Sequence, residues 1–234
     1  LSHNILFDYA VSVLLIEDDP GKCIEFVMED PSRPLFLRPS LNYYFTRLWH
    51  ATPDLFWKAF WRILPSPDVH LRLFARLIPT TVIVNEAREI EQLSPLLDSI
   101  ADKKHIWNEA VLRLLQALRT LEVARDELWV KFLVNVSEYL QREFAWDLAL
   151  VTSDILDRVL KNNNPEILQN CGQISRNLLE WIWKKRKEKK DAWTDSLGAA
   201  WAVPLVSKTF GTNPGASRIL LEKVLQLTDE KNFP

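Results

Sequence analysis

Asn164-Pro165-Glu166-Ile167-Leu168-Gln169-Asn170-Cys171-Gly172-Gln173-Ile174-Ser175-Arg176-Asn177-Leu178-Leu179-Glu180-Trp181-Ile182 is the stretch whose reading decides the fold. Ile167, Cys171, Ile174, Leu178 and then Trp181 or Ile182 recur at steps of three and four. Glu166, Gln169, Gln173, Arg176 and Glu180 fall on the opposite side. That is the period of a helix with one apolar face, not the alternation of a strand. Asn164 followed by Pro165 starts it: the amide can accept from a free N–H of the first turn, and proline supplies the helical φ without wasting a donor.

The same polar-residue-then-proline signal occurs at Asp19-Pro20, Thr52-Pro53, Ser66-Pro67, Ser94-Pro95 and Asn213-Pro214. Between Ile106 and Leu118 the apolar set Ile106, Trp107, Ala110, Val111, Leu114, Leu115 and Leu118 forms a wide face, with Glu109, Arg113, Gln116 and Thr120 as a polar stripe. Trp129, Phe132, Leu133, Val136 and Leu140 repeat it, with Glu127 and Lys131 one turn apart on the exposed side. Leu148, Ile155, Leu156 and Val159 continue the series. The N-terminal third is helical from Ile5, Leu6, Tyr9, Ala10, Val13 and Leu14, through Cys23 to Met28, and again from Leu41 to Trp49, broken by Pro31, Pro34 and Pro39. Thr80 to Val84 is rich in β-branched residues but has no partner strand, so it reads as a turn or a buried helix start.

Helix starts near Ile106, Glu122, Ala145, Pro165, Ala192 and Pro214 imply helix pairs of about 40 residues, the period of HEAT-like and other helical repeats. The expected fold is therefore all-α: an α-solenoid of HEAT- or TPR-like kind, or an irregular helical array. The polar interruption Ala101-Asp102-Lys103-Lys104 divides a block of shorter helices, residues 1–100, from a more regular helix-pair block, residues 105–234, within one continuous superhelix.

Composition narrows the function. With 10 Trp, 11 Phe and only 5 Gly, the chain is built for bulky packing and is poor in the residues that tight hairpins require. A net charge of −2 denies it the broad positive field of a general nucleic-acid binder. Cys23 and Cys171 stand far apart among apolar residues, as buried thiols in a reducing, cytoplasmic setting do. Leu77 to Val84 and Gly198 to Val206 are proline-interrupted and far short of the ~18 residues of a membrane span, so no membrane partner is expected. The opening Leu1-Ser2-His3, without an initiator Met or a targeting signal, reads as the start of a fragment of a longer protein.

Catalytic and cofactor motifs are missing. Gly21-Lys22 lacks the earlier glycine of a phosphate-binding loop and reads as a helix start after Asp19-Pro20. The histidines His3, His50, His70 and His105 are scattered, and His105 has no second histidine one turn on, so no metal site is expected. Asp18-Asp19 and Glu29-Asp30 sit at helix ends, where capping and solvation account for them. The chain is expected to be no enzyme and to carry no cofactor. A helical hydrolase assembled from distant residues is the counter-reading, because fold does not dictate function.

One run stands apart: Trp183, Lys184, Lys185, Arg186, Lys187, Lys189 and Lys190, interrupted by Glu188. Its cations and neighbouring Trp181 and Trp183 have the chemistry to hold phosphates and stack on bases, as a nucleic-acid-binding adaptor would. The same run is also what a solvated helix C-terminus favours through the macrodipole.

Leu1-Ser2-His3-Asn4-Ile5-Leu6-Phe7-Asp8-Tyr9-Ala10-Val11 and Leu35-Phe36-Leu37-Arg38-Pro39-Ser40-Leu41 resemble the segment just after the nucleotide-binding module of bacterial NACHT-like, AAA-related signal-transduction ATPases of the STAND class. The resemblance covers the first forty or so residues. It implies a helical region that senses or binds a partner while the ATPase converts recognition into assembly. The phosphate-binding loop and the acidic Mg-binding motif of those ATPases are not in this chain, so no ATP site carries over. The expected role is a non-catalytic scaffold or sensor whose partner is a protein or other domains of the same polypeptide.

Overall fold

The computed structural model describes residues 2–30, 32, 36–64, 73–99, 104–121, 125–140, 146–162 and 164–189, with 214, 215, 218, 221 and 222. Ten α-helices run through the described residues, with no strand among them: α1 (Ser2–Leu14), α2 (Pro20–Glu29), α3 (Arg38–Ala51), α4 (Pro53–Ile63), α5 (Leu73–Glu86), α6 (Ser94–Asp98), α7 (Lys104–Thr120), α8 (Asp126–Leu140), α9 (Trp146–Val159) and α10 (Pro165–Lys189). A 3₁₀ turn at Ile90–Leu93 leads into α6. The fold is all-α.

Several helix starts follow the proline signal. The Asp19 carboxylate accepts from the N–H groups of Gly21 (2.7 Å) and Lys22 (3.1 Å), and α2 begins at Pro20. Those two bonds hold the Asp19 carboxyl below its usual range. Asn164 accepts from the Glu166 N–H at 2.9 Å as α10 begins. Thr52 precedes α4 without a side-chain cap, and Ser94 lies inside α6, whose cap position is Leu93. Ser66-Pro67 and Asn213 lie outside the described residues.

Thr80 to Val84 is neither a turn nor a helix start; it lies in the second half of α5. Pro79 inside that helix removes one N–H bond, and the hydroxyls of Thr80 and Thr81 both donate to the Leu77 carbonyl (2.7 and 2.9 Å). With Val82, Ile83 and Val84 buried, tertiary packing outweighs their intrinsic preference for strands.

The chain divides into two compact units, residues 1–88 with 92–123 and residues 89–91 with 124–234. The break after Val123 leaves α7 with the N-terminal helices. In the first unit, helices α1, α3, α5 and α7 form a row in which each packs on the next, and α2 and α4 pack on each other, α4 also meeting α3 and α5. Aromatic rings fill the space between α3 and α4. Phe45 meets Phe56 edge-on at 6.1 Å, and Trp49 meets Phe56 at 5.0 Å, the geometry that ring quadrupoles favour. Trp107 of α7 is fully buried and donates from Nε1 to the Leu96 carbonyl at 2.7 Å, which ties α7 to α6.

In the second unit α8 packs against both α9 and α10. Its core joins Trp129, Phe132 and Val136 of α8 to Leu148, Ile155 and Leu156 of α9 and to Ile167, Cys171, Ile174 and Trp181 of α10. Asn177 donates to the Ser137 hydroxyl at 2.9 Å within this apolar interface. At its rim Lys131 bridges Glu127 (2.9 Å) and Glu166 (3.0 Å), so the exposed pair expected on α8 extends to the start of α10.

Candidate functional site

The middle of the α1–α3–α5–α7 row builds a cleft. Leu77, Thr81 and Asn85 are one turn apart and make a stripe along α5, the helix that touches both α3 and α7. They form its floor together with Ile78. Arg38, Pro39 and Asn42, from the first turns of α3, form one wall. Arg113, Gln116, Ala117, Thr120 and Leu121 of and just after α7 form the other. The cleft, open to solvent, has a volume of about 670 Å³ and lies within the first unit.

Its charge is one-sided. Among the described residues that line it two are arginines and none is a carboxylate. Arg113 is mostly buried and is positioned by Glu109, 3.8 Å from its Nη2, and by the Gln116 amide oxygen, 3.3 Å from its Nη1. Arg76 also reaches Glu109, at 3.4 Å, so one carboxylate serves two guanidinium groups. The buried Nε of Arg113 has no acceptor among the described residues. Arg38 is exposed at the start of α3, whose cap residue Leu37 offers no side-chain acceptor to the first-turn N–H groups. A helix start without a cap adds partial positive charge to that wall.

The second unusual surface is α1. Its inner side buries Val11 and Ser12 and also makes polar contacts with α3: Ser40 donates to the Asp8 carboxylate at 3.0 Å, and Arg47 donates to the Ser12 carbonyl at 3.2 Å while pairing with both oxygens of Asp18. Its outer side is apolar. Ile5, Leu6, Phe7, Tyr9, Val13, Leu14 and Leu15 are all exposed, Leu6 to 67% and Leu14 to 78%, with Phe36 and Tyr43 exposed as well. Tyr9 and Tyr43 meet edge-on at 6.3 Å. So many large apolar side chains left in water on one short helix mark an interaction surface.

The basic run lies at the end of α10, whose backbone is helical through Lys189; Lys190 lies outside the described residues, as do the side chains of Trp183, Lys184, Lys185, Arg186, Lys187 and Lys189. Asp18 serves Arg47, Asp19 caps α2, and Asp30 accepts from Ser32, so these acidic residues are engaged structurally. Gly21 lies in the first turn of α2, where an added Cβ would come within 2.9 Å of both the Asp19 carboxylate and the Arg62 guanidinium. His50 pairs with Glu86 at 3.0 Å. Among the described residues no group of three or more His, Cys, Asp or Glu side chains is placed to hold a metal, and no helix is long and apolar enough to cross a membrane. Both cysteines are buried and unpaired, and burial pushes each thiol up to about 12.

The residues of the cleft and of the α1 outer face were not singled out as sites by motif reading. Arg113, Gln116 and Thr120 belong to the polar stripe of α7, which by itself reads as solvated. Comparison with known proteins adds no relative: no family model, no curated protein and no solved structure matches the chain.

Proposed function

We propose that this chain is a non-catalytic helical scaffold that acts by protein recognition, with the outer face of α1 as a docking surface for an apolar helix face. The observation that carries this reading is the apolar surface that α1 leaves in water: Ile5, Leu6, Phe7, Tyr9, Val13 and Leu14, with Leu15 just after the helix, are all exposed. Burying them against another helix recovers roughly 25 cal/mol per Å² of apolar surface. Helices stacked in rows, as in a solenoid, suit such a role because their outer side chains can vary without disturbing the core. The resemblance of the opening residues to the region after the nucleotide-binding module of STAND-class ATPases supports placing the scaffold in a larger signal-transduction ATPase.

Sedimentation velocity tests the docking surface. The α1 face of a second copy is a suitable partner, so the chain self-associates as its concentration rises toward about 100 μM, where ~5 kcal/mol of contact energy populates a dimer. The double variant Leu6→Glu/Leu14→Glu sediments as a monomer with unchanged far-UV circular dichroism, because both side chains already face solvent. A wild-type chain that stays monomeric throughout would overturn the assignment. ATP turnover by the purified chain would overturn its non-catalytic part.

A further inference from the structure

We infer that the partner of the α1 face is a second copy of this chain, with the two α1 helices laid antiparallel about a twofold axis that passes between Tyr9 and Ala10. This rests on reading α1 as a docking surface and specifies what docks there and in which sense. The outer side of α1 carries two neighbouring stripes, each at steps of four residues: Ile5, Tyr9 and Val13, and beside it Leu6, Ala10 and Leu14. Ala10 is half-buried and the other five are exposed. Each stripe is its own complement. Turned end for end, the first sets Ile5 against Val13 of the second copy and Tyr9 against Tyr9, and the second sets Leu6 against Leu14 and Ala10 against Ala10. One axis serves both stripes, because their centres are adjacent residues, about 1.5 Å apart along the helix. A patch that meets itself in this way is what a closed twofold interface requires.

Charge, shape and area favour this occupant. The two stripes contain no Asp, Glu, Lys or Arg, and the Asp8 carboxylate is bonded to Ser40 of α3, so two copies meet without burying like charges. Ala10 is the small residue at the centre, where the two backbones come closest, and Tyr9 next to it is braced edge-on by Tyr43. The antiparallel sense also sets the positive end of each helix dipole beside the negative end of the other. The exposed apolar side chains of α1 leave on the order of 700 Å² in water on each copy, above the ~500 Å² that a specific interface buries on each partner.

Cysteine cross-linking of the whole chain under mild oxidation, at about 100 μM, tests the arrangement. A disulfide joins residues whose Cα atoms lie within about 7 Å. Ala10→Cys should give a disulfide-linked dimer, because the two copies of residue 10 lie next to the axis. Leu6→Cys alone and Leu14→Cys alone should each give roughly tenfold less, since like positions are then separated by about 10 Å or more along the helices. An equal mixture of those two variants should cross-link one to the other. The wild-type chain, whose Cys23 and Cys171 are buried, should give no linked dimer. Self-linking of Leu6→Cys as efficient as that of Ala10→Cys would mean a parallel pair and overturn the inference. So would an Ala10→Cys chain that stays unlinked at a concentration where the wild-type chain sediments as a dimer. In both cases the α1 docking surface stands if Leu6→Glu/Leu14→Glu still abolishes the dimer, which separates failure of the arrangement from failure of the reading beneath it. A wild-type chain that is monomeric throughout would overturn both.

Discussion

Cys23 and Cys171 show how burial alone sets the chemistry of a side chain. Both thiols sit in the core, Cys23 beside Tyr44, and desolvation of the thiolate pushes each up to about 12 from an ordinary 9.0. The same cause raises the Tyr44 hydroxyl. The sign follows directly. A group that binds its proton more tightly when folded contributes stability that is complete below the unfolded value and is lost as pH rises through the folded one. Urea midpoints should therefore decline between about pH 9 and 12, and less steeply in Cys23→Ala. A disulfide reagent at about pH 8 should label neither thiol in the native chain and both after unfolding, because the thiolate is the reacting form. Labelling of the native chain at the unfolded rate would show that the thiols are open to water.

At the scale of the element, capping and packing divide the work. Asn164 satisfies a first-turn N–H of α10, the longest of the described helices, and its side chain is exposed, so Asn164→Ala removes a cap without opening a cavity. The expected loss is about 1 kcal/mol, read as a lower urea midpoint at unchanged slope, and Asn164→Asp should retain most of the stability. α5 is the opposite case. Its local sequence, with Pro79 followed by Thr80, Thr81, Val82, Ile83 and Val84, argues against a helix, yet the segment is helical because it is packed between α3 and α7. Threonine hydroxyls bond back to the Leu77 carbonyl beside the proline, and the buried Val and Ile side chains supply the apolar contact that propensity lacks.

Across the whole molecule α1 stands at one end of the row, with α3 and α5 between it and α7 in the packing order. Leu6 and Leu14 are exposed, so Leu6→Glu/Leu14→Glu should leave the stability of the folded chain within about 0.5 kcal/mol of wild type, read as the urea midpoint, while self-association is lost. A larger loss would mean that these side chains are packed within the monomer. How much of this was legible beforehand depended on the kind of signal. The all-α class, the start of α10 at Pro165, the buried face of α7 and the burial of both thiols follow from period and local chemistry, since a repeat of three and four apolar residues can bury itself only as a helix. The cleft does not follow from them. Arg113, Gln116 and Thr120 make an ordinary polar stripe until α5 and α3 bring Thr81, Asn85, Asn42 and Arg38 beside them, and residues so far apart in the chain share no spacing to recognise. The outer face of α1 was hidden for a related reason: helical period marks a face as apolar but does not say on which side the neighbouring helix lies, and here the Asp8 carboxylate meets Ser40 while Arg47 meets the Ser12 carbonyl. Local structure is set by contacts within a turn or two, whereas a binding surface is set by which faces meet, and only the packed chain decides that.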